Sequence, residues 1–146
     1  MLKAKKIISV IVSIFLVLSS GIITVQATTI ANGTCGKNIN WSLDSEGILL
    51  ISGSGDMNNY DPSRYKYAPW YDQKANIKAI QIENGLTGIG NCAFYECTNL
   101  KTVNVPNSIT NIGSRAFYMC TSLQEITLPE SVITIGSSAF YSCKSK

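Results

Sequence analysis

The chain has 146 residues, of which 45% are apolar, 9% aromatic and 14% charged, against the roughly 25% charge of an average soluble protein. One domain fits this length, and the low charge excludes a charge-solvated disordered chain and a polybasic nucleic-acid binder. No histidine is present, which removes histidine general-base chemistry, Ser-His and Cys-His nucleophile activation and histidine-ligated metal sites.

Met1 to Lys6 carry Lys3, Lys5 and Lys6, and Ile7 to Leu18 continue as an apolar run interrupted only by serine. This is the layout of a secretory signal peptide. Val25-Gln26-Ala27 offers small residues at the cleavage spacing, so residues 1–27 are expected to be removed by a cut after Ala27, leaving a secreted or cell-surface protein. The alternative is an uncleaved anchor, since Ile7 to Val25 could just cross a bilayer. Ser19, Ser20 and Gly21 break the run where a signal's polar segment begins, which favours cleavage, and on that reading the membrane is met only through this segment. Residues 1–27 hold three of the 12 basic residues and none of the nine acidic ones, so the remainder is electroneutral.

Residues 28–75 read as an N-terminal β cap. Ile39 to Leu43 and Ile48 to Ser52 are strand-like runs joined by Asp44-Ser45-Glu46-Gly47, a hairpin signal. Gly53-Ser54-Gly55 lacks the lysine and the strand-to-helix context of a phosphate loop. Asp56 to Tyr71 then crowds Tyr60, Tyr65, Tyr67, Trp70 and Tyr71 into a loop-like segment beside Asp, Asn and Arg. Flat rings with polar tips are what a glycan or peptide groove uses; the competing reading is that Trp70 and some tyrosines plug the cap onto the segment that follows. Asp56, Asn58 and Asp61 echo a calcium loop without its glycine or closing glutamate, so no metal is assigned.

From Asn76 the chain repeats with a period of 23: residues 76–98, 99–121 and 122–144 align without a gap. Ile89, Gly90, Ala93, Phe94, Tyr95 and Cys97 recur identically at Ile112, Gly113, Ala116, Phe117, Tyr118 and Cys120, and again at Ile135, Gly136, Ala139, Phe140, Tyr141 and Cys143. Fixed periods of this length mark stacked repeats, in which each unit is too small to bury its own apolar face and uses its neighbour. Within a unit, Val103-Asn104-Val105 predicts a short strand with Asn104 outward, Pro106-Asn107 a turn, Gly113 a left-handed or crowded backbone position, and Ser114 to Cys120 one helical turn with Ala116 and Cys120 inward. Phe94, Phe117 and Phe140, with Cys97, Cys120 and Cys143, are the expected structural ladder. The tyrosines at 95, 118 and 141 are expected to cover neighbouring rungs.

These units resemble the BspA-like leucine-rich repeats, with their L-x-x-[IV]-x-[IVL]-P…[IV]-x-x-I-G-x-x-A-F-x-x-C pattern. The segment Gly33 to Gly55, with Ala68-Pro69-Trp70-Tyr71, looks like the leader that often precedes such repeats in secreted bacterial proteins. The resemblance implies a β-rich solenoid of about three 23-residue coils behind an N-terminal β-hairpin cap. It also implies an extracellular module that binds macromolecules, often in adhesion, with no catalytic residues or cofactor. One departure is Glu83, which stands where the other units have Pro106 and Pro129.

Five cysteines are an odd number and cannot all pair, and Cys97, Cys120 and Cys143, which lie in the repeat, read as a buried thiol ladder. Cys92 shares its column with Arg115 and Ser138, so it is expected to face solvent, where it could pair with Cys35 as a staple. No C-x-x-C is present to suggest zinc. The acids near the aromatic segment and on the last unit are the only candidates for carboxylate chemistry, and they carry no pattern that points to it. Leu128-Pro129-Glu130-Ser131 is read as part of a repeat and not as a wall-sorting signal.

Two functional readings follow. In the first, the chain is a non-catalytic module that binds an extracellular protein or glycan through the outward strand column (Ala79, Gln81, Thr102, Asn104, Glu125 and Thr127) or through the aromatic segment. In the second it is a structural spacer, or the N-terminal fragment of a longer array, whose last unit lacks a polar cap and could associate end to end.

Overall fold

The computed structural model describes residues 12–18 and 21–144. Lys3, Lys5 and Lys6 of the expected signal segment, its Ser19 and Ser20, and the last two residues lie outside the described residues. Strands β1 (Val12–Leu18) and β2 (Gly21–Ala27) pair antiparallel in a two-stranded sheet of their own. Thr28 is tied to the main body: its carbonyl accepts from Ser45 N–H at 2.9 Å. Among the described residues no helix is long and apolar enough to cross a membrane.

The main body begins with an antiparallel meander of β3 (Thr29–Gly36), β4 (Asn38–Asp44) and β5 (Ile48–Asp56). The expected hairpin is present and β3 adds a third strand to it. Alternation explains the inward face, because Ile39, Trp41 and Leu43 of β4 and Leu49 and Ile51 of β5 are all buried. Asp44 closes the loop by accepting from the N–H groups of Glu46 and Ile48 at 3.0 and 2.9 Å.

Strand β5 then changes role along its length. Ile48 to Ile51 pair in parallel with β6 (Ala79–Ile82), while Gly55 and Asp56 pair in parallel with β7 (Leu86–Ile89). Two parallel arms grow from this one strand: β6 to β8 (Thr102–Asn104), and β7 to β9 (Asn111–Ile112) to β10 (Thr134–Ile135). The register places Ile80 beside Val103 and Ile89 beside Ile112, each partner 23 residues on, so the sequence period is the pairing period. Glu83 has a reason for not being proline here, since its N–H donates to Ile51 O at 2.9 Å.

A third set of backbone bonds replaces the predicted helical turn. Residues 90–97 form successive i→i+3 turns, as do 113–120 and 136–143. Cys92, Glu96, Arg115, Met119, Ser138 and Ser142 hold φ between 51° and 58°. These left-handed residues turn alternate N–H groups outward along the stack. Those of Cys92, Phe94 and Glu96 donate to the carbonyls of Ser114, Ala116 and Tyr118, and those of Arg115, Phe117 and Met119 to Ser137, Ala139 and Tyr141, at 2.8–3.0 Å. An α-helix would spend the same N–H groups within its own turn. Ala116 and Cys120 do face inward. Gly113 is the crowded case, for a Cβ there would lie 2.5 Å from Asn91 N.

The core is one cluster running from Cys35 and Trp41 of the meander through Ile77, Leu100 and Leu123 to Ala139. Its axis is an aromatic stack of Phe94, Phe117 and Phe140 with centroids 5.1 and 5.4 Å apart. Outside it, Tyr95, Tyr118 and Tyr141 stack at 5.2 and 5.0 Å.

Candidate functional site

The outward strand column is assembled in part. Gln81 pairs in register with Asn104 and Ala79 with Thr102; Gln81, Thr102 and Asn104 are exposed, whereas the Ile80 and Ile82 side chains between them are buried. Glu125 and Thr127 depart from the expectation. The segment that carries them is not paired to β8, and a groove of about 680 Å³, lined by Thr102, Asn104, Glu125 and Thr127 among others, opens between the two.

The aromatic segment divides in two. Tyr60 (7% exposed) and Trp70 (1%) are core residues, as the reading in which they plug the cap onto the repeats expects, and they are not ligand contacts. Trp70 stands edge-on to Trp41 at 5.6 Å and to Tyr60 at 6.2 Å, stacks on Phe94, and donates its Nε1–H to Ala93 O at 2.9 Å. A ring enclosed on these sides has no face left for a ligand. Burial pushes the Tyr60 phenol well above its usual value, with the nearby Cys35 thiol adding to the shift.

Tyr65, Tyr67 and Tyr71 remain accessible to different degrees. Tyr65 is 86% exposed, at a left-handed φ of 57°. Tyr67 stacks on Tyr71 at 4.2 Å. Tyr71 Oη donates to Glu96 Oε2 at 3.1 Å, and Lys74 Nζ lies 2.7 Å from that same oxygen and 3.7 Å from the Tyr71 ring centre. The Lys74 hydrogen bond, then that of Tyr71, holds the Glu96 carboxyl below its usual range against the cost of burial. Burial acts against the Lys74 charge, but Glu96 and Tyr71 outweigh it and hold the ammonium above its usual value. Lys74 and Glu96 were not singled out by the sequence, because the pair spans two units and leaves no local motif.

The proposed Cys35–Cys92 staple is not formed: all five cysteines are free thiols, with Cys35 fully buried and Cys92 only 8% exposed. Residues 57–60 cover Cys92, with Tyr60 N–H donating to Asn91 O at 2.9 Å, so its column is exposed at Arg115 and Ser138 but not here. The ladder thiols donate to carbonyls one unit back, Cys120 Sγ to Phe94 O and Cys143 Sγ to Phe117 O at 3.2 Å. Burial raises Cys35 and Cys97 to about 12. Such thiols behave as small apolar groups and not as nucleophiles.

A second groove, of about 430 Å³, lies where the 59–66 turn meets the left-handed turns of the repeats. Asn59 Oδ1 accepts from Asn91 N–H and Asn91 Oδ1 from Ser114 N–H, both at 2.8 Å, forming a polar ridge from unit to unit. Arg64, Lys66 and Arg115 line it together with one acid, Asp61.

Parallel strands in 23-residue register, stacked aromatic and thiol columns, and a turn ladder in place of helices define a leucine-rich-repeat architecture. The chain belongs to the BspA-type leucine-rich repeat family: the model described as BspA type leucine rich repeat region (6 copies) matches residues 68–146. That match opens at Ala68, ahead of Asn76, in the segment that carries Trp70 onto the phenylalanine stack. The crystal structure of a leucine-rich repeat protein from Eubacterium ventriosum is 28% identical with a TM-score of 0.66, covering 80% of this chain and 37% of that one. This chain therefore spans little more than a third of that protein. A T. pallidum leucine-rich repeat protein is 19% identical with a TM-score of 0.48, covering 75% of this chain and 67% of that one. A leucine-rich cell surface protein from Faecalibacterium prausnitzii is 20% identical with a TM-score of 0.36, covering 79% and 42% respectively. No curated protein sequence matches the chain.

Proposed function

We propose that the chain is a non-catalytic interaction module of a secreted or cell-surface protein that binds an extracellular protein or glycan. The observation that carries this reading is the exposed face made by Gln81, Thr102 and Asn104. Side chains there are held in register on strands whose other face packs Ile80, Ile82 and Val103 against the core, so the surface is preformed before any partner arrives. Tyr65 and Tyr67 form the second candidate contact area. The antiparallel meander serves as the cap of the first repeat unit, and the Lys3–Ala27 pattern as the export signal. The test is binding of the full chain to immobilised extracellular-matrix proteins and glycans, with Gln81→Ala/Asn104→Ala and Tyr65→Ala/Tyr67→Ala variants alongside. Loss in the first variant assigns the strand face, and loss in the second assigns the loop. No binding by a folded sample defeats the reading. Export is tested by N-terminal sequencing of protein from culture medium, where Thr28 is the expected first residue.

A second reading, end-to-end association of copies of the chain, is supported by the exposed apolar side chains of Ile133 (81% exposed), Ile135 and Tyr141. Sedimentation over a concentration series tests it. A monomer throughout, together with specific ligand binding, excludes it.

A further inference from the structure

The groove beside the Asn59–Asn91–Ser114 ridge has the size and the groups of a small-ligand site; the strand-face reading does not use it, and only Tyr65 of the aromatic contact area borders it. At about 430 Å³ it falls within the roughly 300–1,000 Å³ of small-molecule pockets. Its walls are fixed by backbone bonds. The turn that presents Arg64 and Lys66 is closed by Asp61 N–H to Lys66 O at 2.8 Å, and by Asp61 Oδ1 accepting from Ser63 N–H and Oγ–H at 3.1 and 2.6 Å. Arg115 stands opposite on a left-handed residue whose N–H is bound to Ser137 O at 3.0 Å.

The charge is unbalanced. Three cations face one carboxylate, and among the described residues Lys66 and Arg115 make no salt bridge while Arg64 reaches Asp61 at 3.4 Å. The hydrogen bond from Ser63, and then the fields of Arg64 and Arg115, hold the Asp61 carboxyl below its usual value against partial desolvation. Arginine forks match planar oxyanions, whereas a row of amides and hydroxyls matches vicinal alcohols. Asn91 spends its Oδ1 on Ser114 N–H, which leaves its Nδ2 donors without a protein partner among the described residues. Tyr65, 86% exposed between Arg64 and Lys66, adds an aromatic edge next to the same turn.

We propose that this groove binds an acidic saccharide, a sugar bearing a carboxylate or sulfate, with Arg115, Arg64 and Lys66 on the anion and Asn91, Ser114 and Asp61 on ring hydroxyls. It is separate from the strand face, so either site can fail without the other.

The experiment titrates the full chain by calorimetry with trigalacturonic acid, with a chondroitin sulfate disaccharide, with the fully methyl-esterified trigalacturonate, and with sodium sulfate. An acidic saccharide is expected to bind and the ester not. Arg115→Ser, matching Ser138 of the next unit, and Lys66→Ser on the other wall are each expected to weaken binding at least about tenfold with unchanged thermal unfolding. Should Arg115→Ser fail to fold, Lys66→Ser carries the test. Equal binding of the ester, no binding of either acidic saccharide, or wild-type affinity in the folded variants overturns the proposal. So does sodium sulfate binding as tightly as the saccharides, which would mean an adventitious ion only.

Discussion

Trp70 lies flat on Phe94, ring centres 5.5 Å apart and planes within 17°, and its indole N–H is bound to Ala93 O, the residue just before that phenylalanine. Trp70 therefore serves the stack as its first member. The Phe94–Phe117 stacking step is repeated one position earlier with a larger ring that also satisfies a buried carbonyl.

Trp70→Ala removes both contacts and leaves a cavity between the meander and the repeats. A loss of about 3–5 kcal/mol is expected from urea unfolding followed by circular dichroism. Tyr65→Ala, at an exposed ring, is expected to stay within about 0.5 kcal/mol of wild type. Equal effects from the two would contradict the placement of Trp70 in the core.

Gly113→Ala tests the close approach of successive turns. With Asn91 N 2.5 Å from the new Cβ, the backbone must move, at an expected cost of about 1–3 kcal/mol. A variant with an unchanged urea midpoint would mean that the turn ladder has slack.

The Lys74–Glu96 pair gives a pH dependence with a defined sign. Glu96 is lowered in the folded state, so its contribution is present above its unfolded value of about 4.5 and is lost as pH falls through the lower folded value. Lys74 is raised, so its contribution is present below about 10.5 and fades as pH rises through the folded value. Both side chains are about a quarter to a third exposed, which limits the gain to under about 1 kcal/mol. Urea midpoints taken from pH 7 down to pH 3 are expected to fall less for Glu96→Gln than for wild type.

The thiols are expected to be silent in the native state. Ellman's reagent at neutral pH should leave Cys35, Cys97 and Cys120 unmodified until denaturant is added, with half-buried Cys143 first to react. Intact mass is expected not to change on reduction. A two-proton gain would restore the Cys35–Cys92 staple.

The repeat architecture was readable because the 23-residue spacing is also the strand register, as the Ile80–Val103 and Ile89–Ile112 pairs show. Trp70 escaped that ungapped period because it precedes Phe94 by one residue more than Phe94 precedes Phe117. The left-handed turns left no trace because Cys92, Glu96, Arg115 and Met119 are not the glycine or asparagine that such a φ favours; bonds to the next unit fix them there. Cys92 was read from its column, and the column is covered at that level by residues of another element. Glu125 and Thr127 match the strand pattern, but pattern does not report whether a neighbouring edge is within bonding distance. The basic groove draws Arg64, Lys66 and Arg115 from distant segments, so no local motif announced it.

The sharing of β5 between two parallel arms has a kinetic meaning. Its antiparallel partner β4 is joined by a three-residue loop and can close in microseconds, whereas β6 and β7 both take β5 as their partner on the amino-terminal side and must cross a longer stretch of chain to reach it. A hairpin that closes first offers β6 and β7 a ready edge, so growth of the repeats from the amino-terminal end follows the order in which a ribosome delivers them. Destabilising the Leu43–Leu49 pair should slow folding, whereas lesions in the last unit should chiefly speed unfolding.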